Sequence, residues 1–395
     1  MDTGPYRARI VEQITALRPE LAALVRELHD DPEPPAAEHR SAARVAALLA
    51  AHSFSVETGV ADLPTAFVAR RHGGRRPGPT VTFLCEYDAL PGVGHGCGHN
   101  LIAASTTGAA IALAKVLDLA GLPGTVLVHG TPDEEYDGGK ILMAEAGLFD
   151  GIDAAMQIHP SNGGNFLGGS STPHQTMVVT FRGRAAHTAW EPERGINALS
   201  ATLITFVGLN ALQPHLRAGT RIPATITDGG GAPNAVPERS AFRIHITTLD
   251  WDYLAEVSER VRNCARAGAL ASGAGLEIQQ GPPYMPTCSN GPLTAALGES
   301  LGALGVDMEP RPPAQAATDV GNVSHRCPTV WCSMRLTGPE AAMHSREFAA
   351  ATVTDGAWPW LEPASAAMAL TGLRVLADPA LRGAMWAEFR GTPHY

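Results

Sequence analysis

The chain has 395 residues, long enough that two domains are the natural expectation. Hydrophobic residues make up 45% and charged ones 17%, the balance of a soluble globular protein and not of a disordered one. A formal net charge of -10, with no basic run anywhere, excludes a nucleic-acid partner, which needs clustered Lys and Arg.

The N-terminus carries charges throughout and lacks an apolar h-region, so it reads as an amphipathic helix and not as a signal peptide. No stretch reaches about 18 uninterrupted apolar residues, so no membrane span is expected. Six cysteines in so long a chain do not form a disulfide framework, and a reducing cytoplasm is the expected location.

Residues 6–30 and 37–52 place apolar positions at helical spacing and predict helices. The run Thr80-Val81-Thr82-Phe83-Leu84 predicts a buried strand, ending in the loop Glu86-Tyr87-Asp88-Ala89-Leu90-Pro91-Gly92. A long helix of small residues is expected over 101–120, then a strand over 125–130 leading into Asp133-Glu134-Glu135. After a further helix, 154–158 predicts a strand that delivers His159-Pro160. Strands alternating with helices imply an α/β layer with a mainly parallel central sheet flanked by helices. Ligands gather at the strand C-terminal ends of such sheets, which is where these polar clusters fall.

From 176 onward the pattern becomes strand 177–182, helix 195–213, strand 221–227, strand 239–248, helix 251–272 and strand 276–280. That is the split βαβ order of a ferredoxin-like α+β domain. Gly281-Pro282-Pro283 reads as a linker, followed by a strand at 329–334 and a helix at 364–376. The expected organisation is one domain in two parts, residues 1–174 and 285–395, with a second inserted at 175–284.

Within Val93-Gly94-His95-Gly96-Cys97-Gly98-His99-Asn100, a thiolate and an imidazole two residues apart can bind one divalent ion. A glycine-rich turn with incidental His and Cys has the same appearance. Glu134 and Glu135 repel each other unless a cation is near; one can then ligate a metal while the other moves a proton, or both belong to a solvated acidic turn. His159, ending a strand, and His344, in a polar loop opening a helix, are ambiguous alone. Together the four clusters supply enough donors for a metal pair, whose ions sit about 3.5–4 Å apart and share a water. Zinc suits the thiolate and imidazole set, with manganese, cobalt or nickel as alternatives.

Glu86-Tyr87-Asp88-Ala89-Leu90-Pro91, His95-Gly96-Cys97-Gly98-His99 and Glu134-Glu135 resemble the aminoacylase and glutamate-carboxypeptidase family of two-metal peptidases. Ile158-His159-Pro160, Gly183-Arg184-Ala185-Ala186-His187, residues 229–237, Thr318-Asp319-Val320-Gly321-Asn322-Val323-Ser324 and Met343-His344-Ser345 follow in family order, across nearly the whole chain. The narrower similarity is to its amidohydrolase branch. The resemblance implies a zinc-exopeptidase-like catalytic domain with an inserted lid that mediates homodimerisation. It implies hydrolysis of an amide bond in a small N-acyl amino acid, aminobenzoyl-glutamate-like or dipeptide substrate. By the same resemblance Cys97 bridges two metals, His99 and His159 are terminal ligands, and Glu135 and His344 complete the pair. Glu134 is the general base and then acid, and Asp88 orients a ligand histidine. His187 holds the oxyanion of a neighbouring active site, and Asn234 contacts substrate.

Many members of the branch continue the metal motif as Cys-Gly-His-Asp-Gly-His, whereas Asn100-Leu101-Ile102 follows His99 here, a departure that bears on substrate. It leans toward the aminobenzoyl-glutamate hydrolases and dipeptidase-like aminoacylases. His95 reads as a turn residue, and Cys85, Cys264, Cys288, Cys327 and Cys332 as packing residues. Arg182, Arg184, Arg194, Arg221 and Arg239 offer material for a carboxylate clamp, though surface arginines are the default. Three other readings compete: a Cys97 nucleophilic hydrolase, a non-catalytic binding relative, and an amidohydrolase recruited to biosynthetic deprotection.

Overall fold

Every residue of 124–130 is buried, as a strand covered on both faces requires. It is one of twelve strands among the described residues (4–74, 77–310, 316–336 and 340–395) of the computed structural model. They are β1 Ser55–Thr58, β2 Phe67–Gly73, β3 Thr80–Cys85, β4 Gly124–Gly130, β5 Ala154–Ser161, β6 Phe166–Leu167, β7 His174–Arg182, β8 Ala224–Asp228, β9 Arg239–Thr247, β10 Gly275–Gln280, β11 Glu309–Pro310 and β12 Thr329–Arg335. The chain divides into two compact units. One holds residues through Ser170 and the chain from Thr287 onward, save a short stretch at 316–317; the other holds Ser171–Pro286 and that stretch.

The first unit is an α/β layer on an eight-stranded sheet of order β1-β2-β4-β3-β5-β12-β6-β11. The sheet is mixed, with a parallel middle as expected. Its middle, β4-β3-β5-β12, is parallel, but β1-β2, β2-β4 and β12-β6 pair antiparallel. The sequence reading missed β1 and β2 because they lack an apolar run: β1 is mostly exposed, and β2 turns polar at Arg70-Arg71-His72.

From β3 the chain steps to β4 on one side and returns to β5 on the other, so direction reverses around β3. Open α/β sheets bind ligands outside such a switch point. The helix His99–Ala120 lies across these strands and packs against the helices Gly4–Ala16, Arg18–Asp30 and Ala357–Ala377. Its length and apolar composition would suit a membrane span, yet it is buried almost all round, the position of a core helix. Small side chains permit the close packing: a Cβ on Gly108 would lie 2.8 Å from Leu21 Cδ1. The helix expected over 6–30 is two helices meeting at Leu17, since Pro19 cannot donate to the carbonyl four residues back.

The second unit runs β7, helix Ala198–Leu212, β8, β9, helix Trp251–Ser272, β10. Its sheet is antiparallel, in the order β10-β7-β9-β8, and its core is built from Phe181, Phe242, Ile244, Leu254, Val257 and Val261. β8 starts at Ala224 because Pro223 interrupts the ladder, leaving Arg221 on an isolated bridge to Thr247.

Candidate metal and proton-transfer centre

Three of the polar clusters read from the sequence leave the C-terminal ends of parallel strands. β3 passes into Glu86 and Asp88, β4 into Asp133-Glu134-Glu135, and β5 ends at His159-Pro160-Ser161. Gly98 is left-handed at φ 79°, and a Cβ there would lie 2.5 Å from Pro160 Cγ. Only glycine therefore lets the turn start the helix at His99 against the end of β5. His344 holds the uncommon φ of 63° for a non-glycine residue, and its backbone N–H donates to Gly96 O at 2.9 Å.

Two short bonds orient the imidazoles. His99 is fully buried, and its Nδ1 lies 2.8 Å from Asp88 Oδ1, while Asp88 Oδ2 accepts from Glu135 N at 3.0 Å. Nδ1 therefore carries the proton and Nε2 turns inward, without a hydrogen-bond partner, 3.4 Å from Glu86 Oε2 and 3.9 Å from Glu134 Oε2. His159 Nδ1 donates to Pro160 O at 2.6 Å, presenting Nε2 to Cys97 Sγ at 3.5 Å. His344 Nε2 stands 3.7 Å from Glu135 Oε2, and Glu135 Oε1 is buried without a hydrogen-bond partner.

Three donor groups result, in each of which the ligand atoms lie within 4.8 Å of one another: Cys97-His99-His159, Cys97-Glu135-His344 and His99-Glu134-Glu135. They overlap at Cys97, His99 and Glu135. The structure thus brings Asp88, Cys97, His99, Glu134, Glu135, His159 and His344 into one place. His187 and Asn234 belong to the second unit. There His187 is exposed, stacks on Trp190 at 5.0 Å and bridges Ala235, the residue after Asn234. Arg182, Arg194 and Arg239 are paired with Glu277, Glu191 and Asp228.

Sequence reasoning gave no role to Glu86, Lys140 or Asp319. All three are fully buried, and Lys140 Nζ stands 2.6 Å from both Glu86 Oε1 and Asp319 Oδ1. Glu86 and Asp319 stand inside segments already noted, but nothing local marks Lys140 as anything other than a surface lysine.

The electrostatics divide the site. Burial, then Glu135, holds the Cys97 thiol well above its usual range. Burial, then Glu86, Asp319 and Glu135, does the same to Glu134, and burial raises Glu135. Burial also opposes charge on His99, Glu86 and Asp88, but their partners win. Asp88 and Cys97 raise His99, Lys140 lowers Glu86, and His99 lowers Asp88. Such a cluster retains protons that a bound cation replaces, the coupling expected of a metal site.

The sequence model of peptidase family M20/M25/M40 matches residues 81–357. The Xaa-Arg dipeptidase of Mus musculus is 32% identical, over 97% of this chain and 92% of its own. The p-aminobenzoyl-glutamate hydrolase of Escherichia coli (strain K12) provides another relative among its subunits, 31% identical over 75% of this chain and 65% of its own. Among solved structures, the YXEP protein of Bacillus subtilis, described as a dinuclear metal-binding peptidase of family M20, superposes with a TM-score of 0.61. The alignment covers 92% of this chain and 99% of that one at 21% identity, and supports the α/β fold.

Proposed function

The chain belongs to peptidase family M20/M25/M40 and is a hydrolase of amide or peptide bonds, and from that premise we propose that it is a two-metal enzyme cleaving a small N-acyl amino acid, aminobenzoyl-glutamate-like compound or dipeptide. The observation that carries this reading is the overlap of three donor groups at Cys97, His99 and Glu135. The residues fit a metal pair: His99 Nε2 and Glu135 Oε1 are buried polar atoms lacking hydrogen-bond partners, in a mixed sulfur, nitrogen and oxygen set. Cys97, His99, Glu135, His159 and His344 would hold the ions, with zinc the best match to the Cys97 thiolate. Bound there, divalent ions supply Lewis acidity to the scissile carbonyl and acidify the attacking water.

The chain's own groups do the rest. Glu134 takes the proton of the attacking water and passes it to the departing amine. Asp88 keeps the His99 proton on Nδ1 and the ring fixed. His187 stabilises the oxyanion of a partner's site and Asn234 contacts substrate. A homodimer through the second unit suits two of its features, the exposed apolar stripe Leu203, Ile204 and Val207 on the helix Ala198–Leu212 and the open edge strand β8. All six cysteines are free thiols, which suits a reducing compartment such as the cytoplasm.

The test strips the protein with a chelator, restores zinc, manganese, cobalt or nickel separately, and assays Xaa-Arg dipeptides, N-acyl amino acids and aminobenzoyl-glutamate. Turnover should vanish on stripping and return with a divalent ion. Full turnover by metal-free protein would overturn the reading and favour a Cys97 nucleophile.

A further inference from the structure

One cation among these carboxylates belongs to the chain itself. Lys140 lies in the first turn of the helix Gly139–Glu145, after Gly138 in the left-handed region at φ 77°. It is fully buried. Its backbone N–H donates to Asp319 Oδ2 at 3.0 Å and its Nζ donates to Asp319 Oδ1 at 2.6 Å, so one carboxylate grips both ends of the residue. Nζ also reaches Glu86 Oε1 at 2.6 Å.

Glu86, Glu134 and Asp319 form a fourth donor group, each offering an oxygen within 4.8 Å of the others. An all-oxygen set of this kind is what hard divalent cations take. Three carboxylates so close, two of them fully buried, cannot all remain ionised together without a positive charge. Glu86 Oε2 is buried with no hydrogen-bond partner and faces His99 Nε2 at 3.4 Å, so Glu86 links the ammonium to the imidazole.

We propose that Lys140 is a positioning residue whose ammonium occupies the place of a third divalent ion, confining metal to the Cys97 side of the centre and holding Glu86 against His99. The inference rests on the two-ion reading for the neighbouring donors but concerns a separate set of oxygens. It predicts a difference in metal count, independent of turnover.

Stripped wild-type and K140M chains are reloaded with Mn²⁺, dialysed, and the bound metal counted per chain. The wild type should hold two ions and K140M three. K140R keeps the cation, and K140M/D319N loses one charge of each sign, so both should return to two. Should stripped K140M be unfolded, added Mn²⁺ is expected to restore its circular-dichroism spectrum with one ion more than the wild type. A K140M chain binding the same number as the wild type, or remaining unfolded at millimolar Mn²⁺, overturns the inference. A wild type that binds none beside a K140M chain that binds one would sink the two-ion reading while upholding the role of Lys140.

Discussion

Replacing Asp88 by Asn sets two hydrogen bonds against each other. Asp88 accepts from His99 Nδ1 at 2.8 Å through one oxygen and from Glu135 N at 3.0 Å through the other. An amide of the same shape has one acceptor and one donor end. With its oxygen toward His99, its NH₂ meets the Glu135 N–H, and a buried donor is left unsatisfied at a cost of about 1–3 kcal/mol. With its oxygen toward Glu135, its NH₂ donates to Nδ1, the ring proton moves to Nε2, and the inward lone pair is lost. The first orientation leaves the Glu135 N–H unpaired, the second keeps both bonds only by moving the His99 proton, and both discard the carboxylate charge. Loss of such an orienting partner typically costs about 10–100-fold in metal affinity, or about 1.4–2.8 kcal/mol. The first orientation belongs near the tenfold end, because His99 keeps its lone pair; the second belongs at the hundredfold end or beyond. Competition against a chromogenic chelator, run with both proteins at one pH, measures this directly. An affinity within twofold of the wild type would show that Asp88 does not set the His99 tautomer.

Glu134→Gln should retain both metals with affinity changed by no more than a few-fold, while turnover falls by about 10²–10⁴; normal turnover would refute the base assignment. Glu38 offers a pH prediction away from the donor atoms. Burial, then the Asp88 charge, pushes its carboxyl from 4.5 to about 7, so the folded state holds a proton that the unfolded state releases. Stability from this group is present below pH 4.5 and lost as pH rises to 7, a decline of about 3 kcal/mol at about 1.4 kcal/mol per unit. A Glu38→Gln chain keeps an acceptor for the Ala36 and Asp133 N–H groups and can turn its amide to Thr65 Oγ1. Urea unfolding of the metal-free proteins at pH 4.5, 6 and 7.5 should show a shallower decline in the variant, and identical slopes would dismiss Glu38 as its source.

The middle of the sheet was legible because burial on both faces leaves uninterrupted apolar runs in β3, β4, β5 and β12, each bounded by turn residues. The edge strand β1 and its neighbour β2 carry no such run, and both went unread. β7 begins earlier than its apolar run suggests, since His174 and Gln175 are buried polar residues satisfied by partners distant in sequence, and Thr176 is buried beside His174. At the site, Cys97 and His99 were readable from spacing within one turn. Lys140 was not: its partners Glu86 and Asp319 are distant in sequence, and their meeting depends on how the strands are ordered. An isolated lysine on a short helix carries no local trace of burial.

The adjacent pair Glu134-Glu135 posed the same electrostatic problem in sequence and in structure, and the structure resolves it unevenly. On one side, Glu134 shares a donor group with Glu86 and Asp319, where the Lys140 ammonium already stands. On the other, Glu135 has its backbone held by Asp88, one carboxylate oxygen 3.7 Å from His344 and the other with no hydrogen-bond partner. The two carboxylates therefore differ in what they lack. Glu134 has a fixed positive charge nearby supplied by the chain, whereas Glu135 has an oxygen that nothing in the chain satisfies. A carboxylate of the first kind suits the proton transfer proposed for Glu134, and one of the second kind suits the cation proposed at Glu135. On that proposal, neighbours in sequence are separated in chemistry by a lysine that follows them by one short turn.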